Sequence, residues 1–344
     1  MKFKNQTLLF LLVIFIASCS SQSKDQKINV LIVDGSSNHY IWPKTTQMLK
    51  DYLEETTLFD VSIHRMDTVW LGIKYNPNRP ESLDHYIKAF PIDDKERIII
   101  KEPKEKTNTS IKFDDYDLVV SNLGAFTPNW TTKMKSDFNN YINNGGGLVV
   151  IHSANNAWGD WPEYNEMIAL GGWGDRDSTS GPFVYYNKDG NVVRDSSDQI
   201  CGSHGAEHEF VITSRKNEHP ILKDLPLEWL HTNDELYDRM RGPFKNATIL
   251  ATAYSDVEKN AQGWEPVLPG TGKDVPVLMT VQYGAGRIFH TTLGHFDYSM
   301  ECSGFITTFQ RGAEWAATGL VTQEVPSDFP TVNETRSRKW SLNK

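Results

Sequence analysis

The stretch from Asn143 to Asn156 constrains the fold of this chain more than any other. Three glycines, Gly145 to Gly147, precede the apolar run Leu148 to Ile151, and an abrupt polar turn then opens on His152. A short apolar run between turn signals reads as a strand buried on both faces, as the central strand of a parallel α/β sheet is. Ligands of open α/β sheets bind in the crevice outside the carboxyl ends of the strands. His152 stands at such an end and is read as functional, against the alternative of a satisfied loop histidine.

The rest of the chain supplies elements for such a sheet. Ile28 to Asp34 reads as a first strand ending in a loop of small residues, Gly35 to Asn38, with His39 at its tip. Pro43 in a first helical turn, followed by Met48, Leu49, Tyr52 and Leu53 at helical spacing, predicts a crossover helix, and Phe59 to His64 a second strand. The loop after the first strand therefore shares a rim with His152. Residues 70–114 are rich in proline and charge and read as an insertion. Tyr116 to Ser121 restores the strand pattern and leads to a polar turn at Asn122, while Thr131 to Ile142 predicts a helix. A short helix is expected within Trp158 to Leu170, a long loop over 175–206, and strands at Glu207 to Ile212, Thr248 to Ala253, Val275 to Gln282 and Arg287 to Leu293. Gly284 to Gly286 reads as a hairpin turn and Phe305 to Ala317 as the closing helix. One α/β domain over 28–320 and a tail over 321–344 result, with no internal repeat.

The first residues differ in character. Lys2 and Lys4 precede the apolar run Leu8 to Ile16, which is too short to span a bilayer and is laid out as a secretory signal. It ends in Ile16, Ala17, Ser18 and Cys19, which look like a bacterial lipobox. Residues 1–18 are then a signal peptide, Cys19 the lipidated N-terminus and residues 19–27 a tether. A cell-envelope protein is expected, anchored through its lipid on the periplasmic or outer-membrane face. Loss of 1–18 removes two lysines and no acid, which takes the formal charge from −9 to −11. So acidic a chain is not expected to bind nucleic acid, which demands Lys and Arg against phosphate. Cys201 and Cys302 remain, as one disulfide or as two buried thiols. A homo-oligomer is equally open.

Asn38 and His39 after the first strand, Gly145 to Gly147 through His152, His219-Pro220, Asp234 to Tyr237, and Gly286-Arg287-Ile288 through Gly294-His295 together resemble the ThuA-like family, named for trehalose utilisation. The resemblance covers roughly residues 28 to 320. It implies a flavodoxin-like α/β fold of the class I glutamine amidotransferase type, with a mostly parallel sheet flanked by helices. It also implies a role in handling sugars, with keto-glycoside catabolism as the context. In amidotransferases of this fold the corresponding strand ends in a nucleophilic cysteine, and a later His-x-Glu completes the triad. Here the elbow is His152 and the later element is His295-Phe296-Asp297, so cysteine amidotransferase chemistry is not expected.

His39, His152, His231 and His295 all fall at strand ends or in adjoining loops. Their convergence with Glu235 and Asp297 suits either a metal site or an acid/base site. His152 and Glu235 are read as the acid/base pair, and His231 and His295 as candidate ligands of a divalent metal such as Zn. A helical turn would put His231 and Glu235 on one face. Substrate-binding roles are assigned to His39, Asn122, Trp158, Tyr237, Arg287 and Asp297, with bracing of the sheet as the alternative for Arg287. His208 and His219 are read as structural, and His64, His85 and His204 as surface or loop residues. Trp42, Trp130, Trp158, Trp161 and Trp173 lie in or near rim loops, where aromatic faces can stack on sugar rings, although at least half should pack the loops onto the core. The expected activity is isomerisation or C–O cleavage of a small-molecule glycoside or keto-glycoside. The alternative is a non-catalytic carbohydrate-binding lipoprotein of the same fold.

Overall fold

A computed structural model describes residues 27–70, 83–100, 110–125 and 127–342. The signal segment, Cys19, most of the tether and parts of the 70–114 insertion lie outside the described residues.

The first half of the chain builds β1 (Ile28–Asp34), α1 (Trp42–Glu54), β2 (Phe59–Arg65), β3 (Thr68–Trp70), α2 (Leu83–Ala89), β4 (Ile98–Ile100), β5 (Leu118–Ser121), α3 (Thr132–Asn143), β6 (Gly147–Ile151) and α4 (Pro162–Ile168). The second half builds β7 (Phe183–Tyr186), β8 (Val192–Asp195), β9 (His208–Ser214), β10 (Glu228–Asp234), β11 (Ala247–Tyr254), β12 (Asp274–Tyr283), β13 (Gly286–Thr291), α5 (Asp297–Met300) and α6 (Ser303–Thr318). Strands β2, β1, β5, β6 and β13 lie side by side in that order and run parallel. Counted along the chain, this is the 2-1-3-4-5 order of flavodoxin-like sheets, whose switch point lies between the first and third strands. The loops after β1 and β5, which carry His39 and Asn122, flank it.

The sheet does not stop at β13. β12 pairs with β13 antiparallel, and β11, β9 and β10 continue it antiparallel. The fold is therefore α/β of the class I glutamine amidotransferase-like type, parallel over one half and extended by an antiparallel wing. Residues 175–206, expected to be a loop, contain the hairpin β7–β8, which reaches β12 through Tyr186 and Asp274. The segment around His231 is also corrected: it is strand β10, not a helical turn, with a bulge between His231 and Asp234.

Alternation along the strands divides the core into two layers. Val30 and Ile32 of β1 join Met48 and Leu49 of α1 and Phe305 and Phe309 of α6, while Leu31 and Val33 join Phe138 and Tyr141 of α3 on the other face. Every residue of β6 is buried, as its apolar run requires. The glycines around its start have two separate reasons. Gly145 has φ of 116°, which only glycine adopts readily, as the chain leaves α3. At Gly147 a Cβ would lie 2.8 Å from the Ala316 carbonyl oxygen of α6, so a side chain there would push helix and sheet apart.

The tail turns back over the domain. Ser303 N–H donates to the Arg336 carbonyl, Arg338 N–H to the Glu301 carbonyl, and the Trp340 indole to Asp51. No helix among the described residues is long and apolar enough to cross a membrane.

Candidate functional site

His152 follows β6 directly and adopts φ of 42°, the left-handed region that a non-glycine residue enters only at a cost of about 1–3 kcal/mol. The sharp turn delivers its ring to the carboxyl edge of the sheet, where the ring is 2 % exposed. Its Nδ1 lies 2.6 Å from the Thr292 carbonyl oxygen beyond β13. A carbonyl can only accept, so Nδ1 carries a proton, and in the neutral ring Nε2 presents a lone pair. That Nε2 has no partner within hydrogen-bond distance among the described residues and stands 3.6 Å from Glu235 Oε2.

The same arrangement recurs around Glu235. His295, in the loop after β13, places Nδ1 2.6 Å from Glu207 Oε1 and Nε2 3.2 Å from Glu235 Oε1. His204 places Nδ1 2.8 Å from the Gly205 carbonyl oxygen and Nε2 3.5 Å from Glu235 Oε2. Three imidazoles thus spend their Nδ1 protons outward and turn Nε2 towards one carboxylate. His39 completes the group, its ring centroid 5.3 Å from His152 and 4.5 Å from His295. Asn38 fixes it by donating Nδ2 to His39 Nε2 at 2.9 Å while its Oδ1 accepts the Ala125 N–H. One ligand atom each from His39, His152, Glu235 and His295 falls within 4.8 Å of the others.

The charges suit an acceptor cluster. Burial raises the Glu235 carboxyl, and donation from the His152 ring with positive charge on His295, His204 and His152 brings it below the usual range, so a proton shared with these rings or a cation among them balances the carboxylate. Burial pushes His204 below the usual imidazole range against the pull of Glu235, so its ring is neutral at neutral pH. The hydrogen bond from His295 lowers Glu207. Tyr237 packs its ring 4.2 Å from that of His152, and burial raises its phenol well above the ordinary value, so it stays protonated.

Asp234 fastens the cluster from below. Its Oδ1 accepts the N–H groups of Glu235 at 2.9 Å and His295 at 3.0 Å, and its Oδ2 accepts Gly294 N–H at 2.7 Å and His231 Nε2 at 2.8 Å. One fully buried carboxylate therefore holds both chain segments that carry the site.

Other expected site residues stand elsewhere. His231, expected as a rim ligand beside His295, is fully buried against Asp234, because its position in a bulged strand turns it into the core. Arg287 lies at the amino end of β13, opposite the crevice, and donates to the carbonyls of Trp315 and Ala317 at the end of α6, so it braces rather than binds. Trp158 is 6 % exposed, its indole N–H on the Pro128 carbonyl and its ring against Trp130 and Tyr164. Asp297 is ion-paired with Lys44 at 2.5 Å. Asn122 borders the cleft beside His39 and His152, but its amide nitrogen is spent on Thr45 and Thr46 of α1. Cys201 and Cys302 are free, buried thiols.

His204 and Glu207 are the functional candidates that the sequence reading missed. Gly202, Ser203, His204 and Gly205 repeat the pattern of small residues around an imidazole seen from Gly35 to His39, and that signal was available. Glu207 offered none, since an acid at the start of a strand is ordinary.

A 2-1-3-4-5 sheet with a histidine in the strained elbow after its fourth strand defines an amidotransferase-like α/β protein without the nucleophilic cysteine. The chain belongs to the ThuA family, whose profile, described as trehalose utilisation, matches residues 29–316. It is similar to a ThuA-like protein from Parabacteroides merdae, at 39% identity over 91% of this chain and 98% of that one, with a TM-score of 0.75. A ThuA-like protein from Bacteroides uniformis shares the fold at 16% identity, TM-score 0.53, over 88% of this chain and 96% of that one. Among curated proteins no match is found. The family is carbohydrate-related.

Proposed function

We propose that this protein is a metal-assisted acid/base enzyme acting on a glycoside or keto-glycoside by isomerisation or C–O cleavage. The observation that carries the reading is that ligand atoms of His39, His152, His295 and Glu235 lie within 4.8 Å of one another, with Nε2 of His152 and His295 facing Glu235 at 3.6 and 3.2 Å, while His204 Nε2 borders the group 3.5 Å from Glu235. Imidazole nitrogens opposed to a carboxylate at such spacing take either a shared proton or a cation between them, and the spacing supports the cation. Two ligands each 2.0–2.1 Å from a tetrahedral ion lie about 3.3 Å apart, which matches these spacings better than the shorter contact of a charged hydrogen bond. The donor set, imidazoles with one carboxylate, suits Zn²⁺ or a similar ion, and Glu207 behind His295 is the acceptor that orients a metal-binding imidazole. Such an ion would polarise a hydroxyl or carbonyl oxygen of the sugar.

The chain's own groups do the rest. Glu235, held ionised, would offer one carboxylate oxygen to the ion and keep the other as the proton acceptor at the centre of the cluster. Protonated Tyr237 walls the site beside His152, and His39 with Asn38 orients hydroxyls at the rim of the cleft. The test is incubation of the protein with a panel of glycosides and 3-keto-glycosides, with chelator and after return of Zn²⁺. Turnover of at least one keto-glycoside that chelator abolishes and the ion restores is expected. Sugar binding without any turnover would leave the non-catalytic reading in its place.

The location belongs to the same proposal. An apolar segment ending in Ile16, Ala17, Ser18 and Cys19 supports a lipid-anchored envelope protein. Cys19→Ala is expected to block processing, and detergent partitioning reads the anchor. Wild-type protein found wholly in the soluble periplasmic fraction would overturn this part.

A further inference from the structure

We infer that Trp264 is a sugar-stacking residue at the outer edge of this site, taking the C–H face of the ring next to the one that reacts. The inference rests on the carbohydrate reading above and extends it to a two-ring substrate. Among the tryptophans whose burial is described, Trp264 is the one left exposed, at 47%, while Trp42, Trp130, Trp158, Trp161 and Trp229 are buried. Its ring centroid is 4.8 Å from that of His204, at an interplanar angle of 57°. His204 in turn reaches Glu235 with Nε2 at 3.5 Å. Trp264 is therefore one imidazole removed from the central carboxylate. An aromatic wall runs inward from it through His204, Trp173 and Tyr237 to His152, with Trp173 4.9 Å from Tyr237 and Tyr237 4.2 Å from His152.

The exposure does not come from an untethered loop. Gln262 N–H donates to the Leu268 carbonyl at 2.7 Å, and its side-chain amide to the Pro266 carbonyl at 2.8 Å, closing the base beneath Trp264. Buried Asn260 accepts Gly205 N–H at 3.0 Å, and Arg239 donates both to Ser203 Oγ and to the Pro269 carbonyl. The segment carrying Trp264 is thus stitched to the segment carrying His204 on both sides. A fixed, half-exposed indole beside a cleft of imidazoles and a carboxylate suits a ligand with an apolar C–H face and polar edges, which is the chemistry of a pyranose ring. Its place outside His204 assigns it the second ring or aglycone.

The test is binding, in a Glu235→Gln background so that turnover does not interfere, with a disaccharide keto-glycoside and its methyl-glycoside counterpart as probes. Trp264→Ala is expected to raise the Kd of the disaccharide about tenfold, with a much smaller change for the methyl glycoside, and Trp264→Phe to restore most of the loss. Thermal melting checks that each variant is folded. Equal disaccharide affinity in the parent and in Trp264→Ala would overturn the inference and leave the proposed function standing. If neither sugar binds the parent or wild-type protein, the proposed function falls, and this inference with it.

Discussion

Two histidine–carboxylate groups stand side by side in this chain and are built in opposite ways. At Asp234 the carboxylate is fully buried, sits 2.8 Å from His231, and fills its remaining capacity with the N–H groups of Glu235, Gly294 and His295. At Glu235, the next residue, the carboxylate is 9 % exposed and faces three imidazole nitrogens at 3.2 to 3.6 Å. Both places set imidazole against a carboxylate. What differs is whether donors saturate the carboxylate or lone pairs surround it. The saturated group is a clamp with no capacity for a ligand, and the other, in the function proposed above, is a receptor for a cation or proton. The clamp also positions the receptor, since Asp234 holds the backbone of both Glu235 and His295.

The sharpest way to break this distinction is to disable the clamp. Asp234→Asn leaves His231 facing an amide and removes the charge from a buried pair, a change that costs about 3–5 kcal/mol. Chemical denaturation is expected to show that loss, together with loss of sugar turnover. A variant destabilised by less than about 1 kcal/mol would mean that the pair is no clamp. Glu235→Gln should behave in the opposite sense. Turnover is expected to fall by about 10²–10⁴-fold while the unfolding free energy moves by less than about 1 kcal/mol. If it unfolded the protein as Asp234→Asn does, the two carboxylates would be of one kind.

Smaller effects sharpen the comparison. Glu207 touches neither substrate nor metal in this account but holds the Nδ1 proton of His295. Glu207→Gln should therefore weaken Zn²⁺ about 10–100-fold, as loss of an orienting partner does, with stability little changed. Equal Zn²⁺ affinity in the two proteins would remove Glu207 from the site. The clamp should also show in acid. Burial opposes the charge of Asp234, yet His231, His152 and the Gly294 N–H bring its pKa down from 3.8 to about 2. A depressed carboxylate contributes stability above its unfolded value and loses it as pH falls through the folded one. Stability on the order of 2 kcal/mol should disappear between about pH 4 and pH 2, and the step should be absent in Asp234→Asn. A step that persists in the variant would assign it to another group.

The parallel half of the molecule was legible because its signals are periodic and local. β6 announces itself by an apolar run between a glycine break and a polar turn, and strand polarity then puts His39, His152 and His295 on one rim without knowledge of any contact. Arg287, expected to bind substrate with bracing as the alternative, begins its strand rather than ending it, and its bonds to the Trp315 and Ala317 carbonyls are those of a brace. The antiparallel wing was less legible. His231 looked equivalent to the other histidines until the bulge in β10 decided which way its ring points, and no periodicity reports a bulge. His204 and Glu207 are joined to the site only through tertiary pairing of β9 with the wing, while Trp158 is claimed by an aromatic cluster whose members are spread over the chain. Residues whose role depends on distant partners leave little trace in their own neighbourhood.

The central claim is that the open cluster around Glu235 is a divalent-metal site, and anomalous diffraction from crystals equilibrated with Zn²⁺, recorded on both sides of the zinc edge, tests it most directly. One strong peak is expected at bonding distance, about 2.0–2.1 Å, from Nε2 of His152 and of His295 and from the Glu235 carboxylate, and it should vanish in Glu235→Gln. Zinc found only on surface residues, or a peak that persists unchanged in Glu235→Gln, would contradict the account.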